Sequence, residues 1–249
     1  PLSAADLLRL EYIGYLHSSA EAKEIIYSVE TPRGPNDIPG EPGTSYYRMN
    51  IDDGTVSPLF PEGIKGDSPR YSPDGNHLAF IRSVEDGPAQ VWLLGPDSGS
   101  VLQLTRAPGG VSDFRWQPGH RGIAYLSKEP VTEREKELEK RGYNFIFYEE
   151  NLKNNHLFIN SFGPDWEMIS EKQIIEKGHV WDFEFDAEGK RIAASISPEN
   201  LIDQRYMLRK IHMIELQGGN QTVISENEGK LGNYAFSPDG KYLVYAAGL

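Results

Sequence analysis

Short apolar runs recur along this chain, each bounded by clusters of proline, aspartate, glycine and asparagine. Leu78-Ala79-Phe80-Ile81 and Val91-Trp92-Leu93-Leu94 are apolar at every position. A strand with two apolar faces belongs in a sheet covered on both sides, so these runs predict stacked sheets and not one open, half-solvated sheet. In the clearest stretch the pattern predicts four strands, roughly Pro69–Ser72, His77–Ser83, Ala89–Gly95 and Val101–Thr105, separated by turn signals.

The pattern also repeats. Ser68-Pro69-Arg70-Tyr71-Ser72-Pro73-Asp74-Gly75 returns near the C-terminus as Asn233-Tyr234-Ala235-Phe236-Ser237-Pro238-Asp239-Gly240. Worn copies lie between them, at Asp113-Phe114-Arg115-Trp116-Gln117-Pro118-Gly119 and Asp182-Phe183-Glu184-Phe185-Asp186-Ala187-Glu188-Gly189, and a fainter one opens the chain at Ile13-Gly14-Tyr15-Leu16-His17. Proline presets φ and glycine accepts φ above zero, so each copy predicts a strand, a tight turn and a returning strand. The aromatic residues Tyr71, Trp116, Phe185 and Phe236 fall 45, 69 and 51 residues apart, which suits four-stranded propeller blades with loops of unequal length. The expected fold is all-β, a β-propeller of four-stranded antiparallel blades forming one domain over residues 1–249. Its blades are expected at 9–66, 67–111, 112–179, 180–231 and 232–249. The last holds only two strands, so the sequence reads as an incomplete propeller.

Two helices interrupt the pattern. Ser3-Ala4-Ala5-Asp6, with Leu2 and Leu7 placed as a hydrophobic staple, predicts a short helix ahead of the first blade. Thr132 to Arg141 is almost wholly charged around Leu138, with Thr132 and Glu135 spaced as a capping box and Gly142 as a stop, which predicts a solvated helical insertion. It reads as a plain surface insertion or a partner-binding arm.

Composition narrows the function classes. With 38% apolar and 11% aromatic residues the chain can bury a large core. A net charge of −12 argues against a phosphate-backbone partner, so no nucleic acid is expected. Cysteine is absent, which removes disulfides and thiolate chemistry. No apolar run is long enough to cross a bilayer as a helix, and no membrane partner is expected. The expected location is cytoplasmic. The chain begins at Pro1, however, so a leader that has been removed, and with it a periplasmic or secreted location, stays open. Oligomerisation is compatible with the sequence.

The Asp74-Gly75 and Asp239-Gly240 pairs read as turn chemistry in preference to calcium loops, which need alternate oxygen ligands and a closing glutamate. The six histidines form no metal-ligand spacing, and neither a metal nor any other cofactor is expected. There is no Gly-x-Ser-x-Gly nucleophile elbow and no expected catalytic residue in this chain.

Taken together, Asp67-Ser68-Pro69-Arg70-Tyr71-Ser72-Pro73-Asp74-Gly75, Leu102-Gln103-Leu104-Thr105 and Gly109-Gly110-Val111-Ser112-Asp113-Phe114-Arg115-Trp116 resemble the N-terminal propeller of acylaminoacyl-peptidase-like serine peptidases, in the prolyl oligopeptidase family. The insertion from Thr132 to Tyr143 leading into His156-Leu157-Phe158-Ile159 is similar to one in that family. The resemblance implies a parent that hydrolyses short peptides, with a C-terminal α/β-hydrolase domain of the same parent chain as partner and the propeller gating access of the peptide substrate. It also singles out Glu149 and Glu150, since some dipeptidyl peptidases of the wider family hold a free amino group with paired glutamates. The plainer reading of these two is a solvated pair. Pro-Asp-Gly hairpins are shared with TolB-like propellers, so a protein-binding module is the alternative.

Overall fold

The computed structural model describes residues 3–248 apart from 4, 5, 7, 8, 19–22, 35, 86, 96–98, 144 and 146–148. Its strands form successive antiparallel sheets, each built from consecutive segments of the chain. The first sheet is β1 (Tyr12–Ser18), β2 (Glu24–Thr31), β3 (Gly43–Asn50) and β4 (Val56–Pro58). The second is β5 (Asp67–Tyr71), β6 (Leu78–Arg82), β7 (Gln90–Leu94) and β8 (Val101–Gln103). The third is β9 (Val111–Trp116), β10 (Gly122–Lys128), β11 (Asn155–Phe162) and β12 (Met168–Gln173). The fourth is β13 (His179–Phe185), β14 (Arg191–Ser197), β15 (Lys210–Glu215) and β16 (Gln221–Val223), and β17 (Leu231–Phe236) pairs with β18 (Leu243–Ala247). The four strands expected around Tyr71 all form, with ends shifted by a residue or two.

The repeated turn has one hydrogen-bond pattern. Ser72, Gln117, Asp186 and Ser237 each donate their N–H to the carbonyl five residues on, at 2.8, 2.9, 3.0 and 2.8 Å. Each also accepts from the N–H three residues on. The preceding aromatic is the last residue of its strand in every case, so Tyr71 faces Leu78, Trp116 faces Ile123, Phe185 faces Ile192 and Phe236 faces Leu243. The four expected anchors are thus equivalent.

How each turn is fastened differs with its residues. In Ser72-Pro73-Asp74, Ser72 Oγ donates to Asp74 Oδ1 at 2.5 Å and accepts from His77 N at 3.0 Å, while Asp74 Oδ1 accepts from Asn76 N. This hydroxyl is the main reason the Asp74 carboxyl is held down at about 2. Ser237 and Asp239 repeat the arrangement. In the worn copy Asp186 does both tasks, its Oδ1 accepting from Lys190 N and Arg191 N at 2.8 and 3.1 Å. At Gln117-Pro118-Gly119 the residue with positive φ, Gly119 at +69°, comes one position earlier than Gly75, Gly189 and Gly240. Glycine then follows proline directly, as a type II turn requires, whereas the others place glycine at the fourth position, as in type I.

The chain divides into two compact units, residues 1–82 with 91–103, and residues 83–90 with 104–249. In the first, Ile26, Tyr46, Leu59 and Leu78 form a core with Tyr15 and Tyr71 packed against it. Tyrosine hydroxyls tie its sheets together: Tyr15 Oη donates to Pro69 O at 2.7 Å, Tyr71 Oη to Glu24 Oε2 at 2.5 Å, and Tyr46 Oη to Asp67 Oδ1. Burial, followed by these carboxylate contacts, raises the pKa of Tyr46 and Tyr71.

In the second unit β14 is buried at every position after Arg191. Ile192, Ala194 and Ile196 join a core with Ala124, Leu126 and Leu157, while Ala193 on the opposite face packs with Ile211 and Leu231. A strand sandwiched in this way reads as continuously apolar, which accounts for the unbroken runs in the sequence. The fourth strands, β12 and β16, are exposed along nearly their whole length. Consecutive turns are tied as well: Gln117 Nε2 donates to Gly189 O at 2.7 Å, and Arg191 Nη2 to Gly240 O at 2.8 Å.

The charged insertion forms α1 (Glu133–Lys140), with the expected capping box between Thr132 and Glu135 and no buried residue. The helix expected near the N-terminus falls mostly outside the described residues. Ser3 N and Oγ donate to Asp6 Oδ2 at 2.7 and 2.8 Å.

Two glycines separate turn conformation from packing. A Cβ at Gly119 meets nothing within 4 Å, so Gly119→Ala should lose about 1 kcal/mol from the left-handed conformation alone. A Cβ at Gly189 would lie 2.3 Å from the backbone oxygen of Pro118, so Gly189→Ala should lose about 3 kcal/mol or more. Urea denaturation of both variants measures this, and equal losses would refute the close contact between consecutive turns.

Candidate functional site

In the second, third and fourth sheets the first strand ends at a short turn, so the opposite end of each sheet carries the connection between its second and third strands. In the second unit those connections are long: residues 129–154 join β10 to β11 and include α1, and residues 198–209 join β14 to β15. Charged and aromatic side chains collect where the two meet.

Glu129 holds the base of the longer connection. Its Oε1 lies 3.0 Å from His156 Nε2, and its Oε2 accepts from Asn154 N at 3.2 Å. Burial pushes its pKa up, yet these two bonds outweigh that and leave it lowered. Glu135, in the first turn of α1, accepts from Thr132 Oγ1 and N at 2.6 Å each and from Lys153 Nζ at 2.9 Å. The Thr132 hydroxyl first, and Lys153 next, hold this carboxyl at about 2. The insertion is therefore pinned at both ends. Asn154 Oδ1 and His156 Nδ1 are buried without a hydrogen-bond partner among the described residues, so the cluster keeps bonding capacity of its own.

The strand β13 supplies the neighbouring wall. His179 and Trp181 lie 4.2 Å apart between ring centroids, at a point where the pairing with β14 is irregular and skips Trp181. Arg205 sits over the Trp181 ring at 5.2 Å, and Trp181 Nε1 donates to Ser197 Oγ at 2.8 Å. The π-helical turn at Gln204–Leu208, closed by Arg209 N donating to Gln204 O at 2.9 Å, carries Arg205 there and leaves Tyr206, Met207 and Leu208 exposed. Asn200 Nδ2 donates to Lys153 O at 3.0 Å and joins the two connections.

Among the described residues of this arrangement, neither Ser197 nor His179 is paired as a nucleophile with its base. Ser197 Oγ donates to Glu199 O and accepts from Trp181, so no imidazole takes its proton. His179 Nδ1 accepts from Asn155 N at 3.0 Å, which requires that nitrogen to be unprotonated.

Glu149 and Glu150 lie on the same 129–154 connection and are both exposed. Neither has a hydrogen bond or ion pair among the described residues. Glu149 and Asn151 adopt positive φ, +56° and +53°. Phe147 and Tyr148, which precede them, are outside the described residues. The residues that do converge, Glu129, Lys153, His156, His179, Trp181 and Arg205, are scattered in sequence. Their spacing in the sequence carried no signal of this convergence.

No family model matches the chain. Its curated relatives are peptidases. It is 28% identical over 185 residues to the uncharacterized peptidase YuxL of Bacillus subtilis, covering 73% of this chain and 22% of the relative. It is 24% identical over 268 residues to dipeptidyl-peptidase 5 of Porphyromonas endodontalis, covering 97% of this chain and 38% of the relative. The chain thus spans well under half the length of either. Among solved structures, the acylaminoacyl peptidase of Pyrococcus horikoshii superposes with a TM-score of 0.59 at 16% identity, over 95% of this chain and 37% of that one. TolB of Acinetobacter baumannii also superposes with a TM-score of 0.59, at 18% identity, over 96% of this chain and 49% of that one. The fold is therefore that of a β-propeller, and the curated relatives it resembles in sequence are peptidases.

The buried histidine gives this end of the sheets a pH signature. Burial first, then the nearby His156, Lys128 and Arg205, depress the His179 pKa from 6.5 to about 4. The unfolded chain then binds more protons than the folded one between these values, so stability should fall as pH drops from about 6.5 to about 4. His179→Gln keeps an acceptor for Asn155 N and should flatten that slope. Urea midpoints at pH 7 and 4.5 measure it, and an unchanged slope would refute a neutral buried imidazole.

Proposed function

We propose that this chain is the propeller portion of a serine peptidase that hydrolyses short peptides, and that it controls access to an α/β-hydrolase domain elsewhere in the parent chain. The observation that carries this reading is the alignment of 97% of the chain with part of a dipeptidyl-peptidase, together with the lack of a nucleophile elbow here. The chemistry then belongs to the other domain, and the propeller contributes selection.

The end bearing the long connections suits that role. It presents an aromatic ring capped by a cation, exposed apolar side chains from 206 to 208, and an insertion anchored by Glu129 and Glu135. Glu149 and Glu150 project from this insertion and are the residues proposed to meet a substrate's amino terminus. Their exposure and their lack of partners among the described residues support the proposal, since committed carboxylates would have little to offer an ammonium group. A TolB-like binding module is the second reading, favoured by the superposition on TolB over 96% of the chain.

The chain alone should cleave neither acyl-amino-acid nor dipeptidyl chromogenic substrates. The parent should cleave short peptides and spare folded proteins. In the parent, Glu149→Gln with Glu150→Gln should raise KM for substrates with a free amino terminus by roughly tenfold and leave N-acylated ones unchanged. Equal effects on both substrates would remove the amine-binding role. A parent without a hydrolase domain would favour the binding module.

A further inference from the structure

A pocket of about 430 Å³, open to solvent, lies in the second unit beside β11 and β12. Ile159 and Ser161 of β11 stand directly opposite Lys172 and Ser170 of β12, so these four side chains share one sheet face. Ile174, after β12, and Leu216, after β15, close the apolar floor, and both pack against the buried core behind it. His120 and Arg121 reach in from the turn after β9.

Three features make this more than a crevice. Its volume is in the usual range for small-molecule sites. Its lining holds three basic side chains, His120, Arg121 and Lys172, and two serines, but no carboxylate, although the chain as a whole carries −12. And one wall is built. Arg121 Nη1 donates to Gly163 O and Pro164 O at 3.1 and 2.6 Å, and its guanidinium lies 5.1 Å from the Trp166 ring, which also meets Trp116 edge-on at 5.7 Å. These contacts fix the loop between β11 and β12 with Trp166 at φ +63°, a conformation that bulky residues rarely hold without support. Arg121 Nε and Nη2, and Lys172 Nζ, make no bond to the described residues and remain donors.

We propose that this cavity binds a small carboxylate carrying an apolar group, with the carboxylate between Lys172 and Arg121 and the apolar part on Ile159, Ile174 and Leu216. An apolar floor without the cations would take a neutral ligand, and cations without the floor would take inorganic anions. The combination selects an amphipathic anion. Such a group occurs on a free fatty acid or at the C-terminus of a peptide ending in an apolar residue. The site is independent of the connections at the other end of the sheets and of the peptidase reading.

Calorimetric titration of the chain with octanoate, octylammonium, N-acetyl-leucyl-leucine and the amide of that peptide tests the proposal. At least one of the two acids should bind with Kd below about 1 mM, and the one that does identifies the source. Octylammonium and the amide should bind far more weakly. Lys172 is exposed, so Lys172→Glu should leave Tm unchanged while weakening the acid about five- to tenfold. Comparable binding of the cation or the amide, no binding of either acid, or an unchanged affinity in Lys172→Glu would each overturn it.

Discussion

The main-chain bond that closes each repeated turn, from the N–H of Ser72, Gln117, Asp186 or Ser237 to the carbonyl five residues on, determines the rest of the architecture. Because side chains alternate across a strand, a slip of one residue at this turn would carry every inward residue to the opposite face. With the turn closed, Trp116 faces Ile123 and Phe185 faces Ile192, and the apolar faces of consecutive sheets meet. Proline at three of the four turns and glycine at all four favour the closure, and at Ser72, Asp186 and Ser237 side-chain oxygens accept from further amides. Chemically different residues reach the same bonds, which explains how the motif persists through worn copies.

The same constraint places the long connections. In the third and in the fourth sheet a short turn follows the first strand and a long connection follows the second strand, at the opposite end of the sheet. The insertion with α1 and the π-helical turn therefore sit together, and they bring Lys153, His156, His179, Trp181 and Arg205 into one neighbourhood. Cohesion there is polar: carboxylates at Glu129 and Glu135 hold the backbone of an insertion that buries no residue of its helix. A segment anchored by charge at its base, with a helix that buries no residue, can alter without disturbing the apolar contacts between sheets.

The repeat and its hairpins were legible in the sequence because proline, glycine and the preceding aromatic act locally, within about five residues. The helix at Glu133–Lys140 was legible for the same reason, since its capping box is a four-residue pattern. The cluster at the long connections was not, because Glu129, His156 and His179 become neighbours only through strand pairing across tens of residues. The cavity beside Lys172 was hidden for a related reason: it needs the register of β11 against β12 and the placement of a turn after β9. Glu149 and Glu150 were picked out by resemblance, and they lie exposed on the 129–154 connection. The shift of glycine at Gln117-Pro118-Gly119 was visible as a missing residue, though not as a change of turn type.

Amide hydrogen exchange at the four closing positions tests this account most directly. The N–H groups of Ser72, Gln117, Asp186 and Ser237 are bonded at 2.8 to 3.0 Å in the same way, so all four should exchange orders of magnitude more slowly than the exposed amides of the insertion helix's first turn. Exchange at Gln117 and Asp186 as fast as in that first turn would show that the worn copies do not close, and would contradict a fold organised by one repeated hairpin.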